Sequence, residues 1–184
     1  ELSVAIDGGA PELRFLCEVR GPAHTIDAQW RAAWALNEEL QRDLGVDLDR
    51  ANAIKDLFAP TLACPRFGAW HAVCFRPGQR PEVKLYLNPL ARGRASALGL
   101  VREAMTRLGF PDACAHLPPS TPDDLLVYFA LDLSADEHAR AKVYTAHFNA
   151  APDHVEEALR PAAGHVPSLE DELKILSEKV ISGR

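Results

Sequence analysis

The chain of 184 residues has no apolar run approaching the roughly 20 residues that a membrane-spanning helix needs. Nor does it open on the basic, apolar and small-residue pattern of a secretory leader. Basic residues are not in surplus. The 20 Lys and Arg stand against 26 Asp and Glu, a formal charge of −6, whereas a nucleic-acid-binding domain presents a broad basic face. A membrane or a nucleic acid is therefore not an expected partner. Cys17, Cys64, Cys74 and Cys114 form no Cys-x-x-Cys pair, which removes zinc-ribbon and thioredoxin-like chemistry. Cys17 and Cys74 fall inside apolar strand patterns, where a thiol packs as a small hydrophobe. Buried, unpaired thiols point to a reducing compartment, with the cytoplasm as the expected location.

Ligand-cradling and metal-holding motifs are missing as well. There is no P-loop, no G-x-G-x-x-G and no G-x-S-x-G. The seven histidines show no H-x-x-E-H or comparable spacing. Asp123-Asp124 is the one acidic pair resembling an aspartate-rich magnesium motif, but Val127 stands where a further aspartate is needed. No metal ligand is expected.

What is present is a repeated order of two strands followed by two helices. Leu2, Val4 and Ile6 alternate with Ser3 and Ala5, the period-two signature of a strand with unlike faces. Asp7-Gly8-Gly9 turns the chain, and Leu13, Phe15, Cys17 and Val19 mark the returning strand. Asp27 is placed to cap a helix carrying Trp30, Trp34 and Leu40 near one face, with both tryptophans expected in the core. A second helix is expected from about Asp49 to Phe58.

The cycle recurs with strands over 70–76 and 82–88 about Pro77-Gly78, then a helix marked by Leu98, Val101, Met105 and Leu108. A short helical stretch is expected before Pro118-Pro119. A third cycle runs through strands over 125–133 and 139–148 to helices beginning near Pro152 and Ser168. The expected class is α+β: hairpins building an antiparallel sheet, with helices covering one side, in a single domain over 1–184.

The second strand of each cycle sets cations on its polar face. Arg14 stands in the first, Lys84 with Tyr86 in the second, and Arg140, Lys142 and Tyr144 in the third. Residues two apart on a strand point the same way, so each K-x-Y presents an ammonium beside a phenol. Val83, Leu85 and Leu87, like Ala141 and Val143, face the other side. A solvated sheet face carries such residues too. However, two of the three tyrosines occupy the same place after lysine. Ammonium with phenol suits the ionisation of an organic diphosphate. The cation pairs with phosphate oxygens while the ring faces a carbocation left as the diphosphate departs.

Glu1-Leu2-Ser3, Glu12-Leu13-Arg14-Phe15, Val83-Lys84-Leu85-Tyr86-Leu87-Asn88-Pro89 and Arg140-Ala141-Lys142-Val143-Tyr144 occur here in that order. In this ordered set the chain resembles the aromatic prenyltransferases of the tryptophan dimethylallyltransferase type, in particular their bacterial indole branch. The resemblance implies the ABBA fold, a barrel of antiparallel strands ringed by helices and built from five repeats. The chain would hold about three of them as a portion of a larger enzyme.

It further implies transfer of a dimethylallyl group from a prenyl diphosphate to the ring of tryptophan or a related indole, with no cofactor and no magnesium. Glu1 would hold the indole N–H. Arg14, Lys84, Arg140 and Lys142 would bind diphosphate, and Tyr86 and Tyr144 would shield the allyl cation. His71 falls near the place where some members carry a proton-accepting lysine. The competing reading is a non-catalytic module that binds an anion or nucleotide on the same cationic face, without need of Glu1 or the tyrosines.

Overall fold

The computed structural model describes residues 1–6, 10–61, 67–117, 124–149 and 151. The Asp7-Gly8-Gly9 turn, Cys64, the proline-rich stretch 118–122, Asp123 and the helices expected from Pro152 and Ser168 lie outside the described residues.

Six strands form one sheet in which each lies beside its neighbours in sequence. They are β1 (Leu2–Ala5), β2 (Glu12–Glu18), β3 (Ala69–Phe75), β4 (Glu82–Leu87), β5 (Asp124–Asp132) and β6 (Ala141–His147). The pairings β1–β2, β2–β3, β3–β4 and β4–β5 are antiparallel. Between β2 and β3 come α1 (Ile26–Leu44) and α2 (Asp49–Phe58); α3 (Ala97–Arg107) follows β4. The helical stretch expected before Pro118 is a single 3₁₀ segment, Asp112–His116.

By compactness the chain divides into two units. The first comprises Glu1–Cys114 and Leu126–Thr145, and the second Ala115–Leu125 and Ala146–Arg184. Within the second, His147 Nδ1 meets Asp124 Oδ1 at 2.6 Å.

Local chemistry explains the element ends. The cap of α1 is Thr25 rather than Asp27: the Thr25 hydroxyl accepts from Ala28 N–H at 3.2 Å, three residues on, as an N-cap must. Asp27 sits inside the first turn and pairs with Arg31, one turn along. Gly45 ends α1 with φ of 70°, a left-handed conformation that glycine adopts without penalty. Gly78, with φ of 73°, does the same between β3 and β4.

The two faces of the sheet differ. Val83, Leu85 and Leu87 on β4, and Phe129 and Leu131 on β5, are buried. Phe129 stacks on Phe58 of α2, with ring centroids 5.3 Å apart. Trp30 and Trp34 are buried in the core as expected, their rings 5.5 Å apart. This cover fades toward β1, where Leu2 and Val4 remain 61% and 58% exposed although they share that face.

Two cysteines depart from expectation. Cys17 is exposed, because it lies on β2 where the helix cover is thin, and its Sγ meets His71 O at 3.6 Å. Cys74 is buried and free, but it lies on the opposite, polar face, paired in register with Arg14 and Glu82.

Candidate active site

Strand register gathers the polar positions. Ser3 pairs with Arg14, Arg14 with Cys74, and Cys74 with Glu82; Ala72 pairs with Lys84, and Lys84 with Asp132. Ala72 and Cys74, on the central strand β3, are small, and the space above them is a cavity of about 350 Å³. Glu1, Arg14, Lys84, Tyr86, Arg140, Lys142 and Tyr144 all line it. These are seven of the eight site residues expected from the sequence: Arg14 on β2, Lys84 and Tyr86 on β4, Lys142 and Tyr144 on β6, with Glu1 just before β1 and Arg140 just before β6. Glu1 is set in place by its main chain: its N–H donates to Leu16 O at 2.8 Å, and Leu16 N–H donates to Glu1 O at 2.9 Å.

His71 is the exception. One residue out of step with Ala72, it points to the helix side, where it is fully buried and its Nε2 lies 2.7 Å from Asn37 Oδ1 on α1. A carboxamide oxygen only accepts, so Nε2 carries the proton. Burial pushes the imidazole pKa down to about 4, which keeps it neutral. His71 does not line the cavity and braces β3 against α1, so its expected role as acceptor of the ring proton is not supported by its position.

The sequence also missed several members of the site. Arg76, just past the end of β3, lines the cavity, and so does Glu12, whose side chain is buried between Arg14 and Arg76. The Arg14 hydrogen bond, aided by both guanidinium charges, outweighs burial and holds the Glu12 carboxyl below the ordinary range. Arg76 reaches Glu82 as well.

Asp132, at the end of β5, meets Lys84 Nζ at 3.4 Å and Arg140 Nε at 2.9 Å. Burial pushes its carboxyl up, but hydrogen bonds from Arg140 and the charges of Lys84 and Arg140 prevail and hold it low. Among the described residues no carboxylate pairs with Lys142. The cavity thus carries five cations, two of them bound to Glu12 and two to Asp132.

Beyond the cations stands an aromatic wall. Tyr86 and Tyr144 lie 6.0 Å apart between ring centroids, and Tyr128 on β5 is 6.0 Å from each. Trp70 and Phe67 extend the wall, at 5.5 and 5.6 Å from Tyr128. Burial, then a hydrogen bond with Tyr144, raises the Tyr86 phenol well above its ordinary range, so it remains a neutral ring. A signal for Tyr128 existed, since it is the only other tyrosine and falls two and four residues from Ala130 and Asp132 on the same strand face.

Among the described residues no cluster of His, Cys, Asp and Glu is arranged to hold a metal ion. Asp124 is engaged with His147. No described helix is long and apolar enough to cross a membrane.

No protein-family model matches the chain. Solved structures do. A 6-dimethylallyl tryptophan synthase superposes with a TM-score of 0.85 at 30% identity, over 93% of this chain and 50% of its own. The 6-dimethylallyltryptophan synthase of Micromonospora olivasterospora, solved with DMASPP and Trp, gives 0.85 at 29% identity over 100% of this chain and 53% of its own. The 5-dimethylallyltryptophan synthase of Streptomyces coelicolor gives 0.80 at 32% identity, over 93% and 48%. The chain spans about half the length of these proteins. The resemblance read from the sequence is therefore borne out: the chain shares the ABBA fold of the aromatic prenyltransferases of the tryptophan dimethylallyltransferase type, over about half of their length.

Proposed function

We propose that the protein transfers a dimethylallyl group from dimethylallyl diphosphate to the ring of tryptophan or a related indole. The observation that carries this is the single cavity lined by Glu1, Arg14, Lys84, Tyr86, Arg140, Lys142 and Tyr144. The diphosphate lies on the cations, which take up the negative charge gathering on the leaving group as the allylic C–O bond breaks. The allyl cation is held over Tyr86 and Tyr144, whose rings offer their electron-rich faces, and the raised pKa of Tyr86 keeps it from presenting a nucleophilic phenolate. A ring carbon of the indole attacks, forming the new C–C bond. Glu1 accepts the indole N–H and steadies the positive charge that spreads over the ring. Loss of the ring proton to a base other than His71 restores aromaticity.

No divalent metal is required in this scheme. Isoprenoid chemistry that relies on magnesium holds it on spaced aspartates, whereas neutralising the donor here falls to Arg14, Arg76, Lys84, Arg140 and Lys142. These five cations outnumber the carboxylates Glu1, Glu12, Glu82 and Asp132 that line the cavity or pair with its cations, so the site keeps a net positive charge for an anionic donor.

The test is incubation of the protein with dimethylallyl diphosphate and L-tryptophan, with and without excess EDTA, followed by mass spectrometry of the products. Prenylated tryptophan in both samples is expected. Its absence from both would overturn the functional reading, and activity abolished by EDTA and restored by magnesium would overturn metal independence. Glu1→Gln is expected to bind donor but lose most turnover. A protein that only binds anions would be indifferent to that change.

A further inference from the structure

Asp132 is the last residue of β5 and the register partner of Lys84 on the cavity face. Its Oδ1 lies 3.4 Å from Lys84 Nζ, and its Oδ2 accepts from Arg140 Nε at 2.9 Å and from Arg140 N–H at 3.1 Å. The Asp132 main-chain N–H in turn donates to Arg140 O at 3.0 Å. One carboxylate therefore ties a lysine of β4 to an arginine just before β6. The side chains of Asp132 and Lys84 are 18% and 14% exposed, so water screens this pair less than a surface ion pair.

We propose that Asp132, by cancelling part of the charge of Lys84 and Arg140, limits the affinity of the cavity for free diphosphate. The inference rests on the functional reading given above.

Asp132 cancels one of the two charges of Lys84 and Arg140, so together they offer the ligand one net positive charge. Lys142 has no such partner among the described residues and presents its whole charge. In a prenyl transfer the diphosphate product carries more charge than the donor it came from, because the ester bond to the allyl carbon has been replaced by a free oxygen. Without a competing carboxylate the product would be held more tightly than the donor. A product held that tightly leaves slowly and sets the turnover rate.

The experiment is a calorimetric titration of inorganic diphosphate into the protein and into Asp132→Asn, with steady-state and single-turnover kinetics on both. The amide still accepts from Arg140 but carries no charge. The expected result is inorganic diphosphate bound on the order of tenfold tighter by the variant, the scale of one partly screened unit charge. Steady-state turnover should then fall below the single-turnover rate as product release slows. Equal or weaker diphosphate binding by the variant would overturn the proposal and leave Asp132 a structural brace, since a brace loosens the site when removed. Asp132→Ser, with its fold checked by circular dichroism, decides the matter in the same way if the Asn variant does not fold. Failure of the unsubstituted protein to bind inorganic diphosphate at all would bring down the functional reading itself, and this inference with it.

Discussion

The two faces of β4 are made from alternate residues of one short strand, yet they obey different rules. Toward the helices stand Val83, Leu85 and Leu87, all buried, and the neighbouring polar contact on that side is the neutral pair His71–Asn37. Toward the cavity stand Lys84 and Tyr86, within reach of Asp132, Arg140, Lys142 and Tyr144. The same backbone thus separates a face where burial suppresses charge from one where charges are kept and paired. Desolvation explains both, since a buried ion without a partner is too costly to keep. His71 gives up its proton on one side, and Glu12 and Asp132 keep their charge on the other because cations meet them there.

The comparison can be broken from either side. The largest effect is expected on the helix side: Leu85→Ala should cost about 2–5 kcal/mol of unfolding free energy, since it opens a hole in a fully buried layer. Urea denaturation measures this, and a cost under about 1 kcal/mol would mean that the layer repacks freely.

The protonation contrast comes next. With its folded pKa lowered from 6.5 to about 4, His71 binds its proton more readily in the unfolded chain. Stability on its account is complete above pH 6.5 and declines as pH falls from there toward about 4, by about 3 kcal/mol in total. Glu12 and Asp132 have lowered folded pKa values, so their contribution is present above the ordinary carboxylate range and lost below it. Thermal melts across this range should show two windows, and His71→Met should flatten the upper one only.

On the cavity side, Lys142→Ala should weaken donor binding by about 1.5–3 kcal/mol, roughly ten- to hundredfold, because among the described residues this cation has no carboxylate to satisfy first. Unchanged donor affinity would take Lys142 out of the site. The smallest effect belongs to neither face. Thr25→Ala removes the cap of α1 and should cost about 0.5–2 kcal/mol in stability with donor binding intact.

Much of this was legible in the sequence because a strand repeats every two residues. Alternation alone set Lys84 with Tyr86 and Lys142 with Tyr144, and separated both pairs from Val83, Leu85 and Val143. What alternation does not reveal is register, which decides what faces what across strands. Asp132 stands at the end of a mostly apolar strand, and only the pairing sets it opposite Lys84. Arg76 and Glu12 read as the polar rims of two strands some sixty residues apart in the chain, and only the β2–β3 ladder makes them neighbours. His71 fails for a related reason. On β3 and just past it the polar and aromatic residues Trp70, His71 and Arg76 fall on both parities, so the sequence does not say which face is which, and an error of one residue moves a side chain from one side of the sheet to the other. Thr25 and Asp27 are both good caps two residues apart, so composition alone does not choose between them.

The meander itself has a kinetic meaning. Every strand lies beside its sequence neighbours, but the spacings are unequal: β2 and β3 are separated by two helices, whereas β3 and β4 are joined by a tight turn closed by Gln79 N–H to Arg76 O at 3.1 Å. Closing a long loop costs more entropy than closing a short one, and hairpins form in about 1–10 μs. The β3–β4 hairpin is therefore expected to nucleate folding, with Val73→Ala and Val83→Ala slowing refolding nearly as much as they destabilise the fold. Mutational values near zero at both positions would refute this order. If it holds, the strand that presents Lys84 and Tyr86 is the first part of the protein to find its partner, and the remaining walls of the cavity assemble onto a cationic template that is already in place.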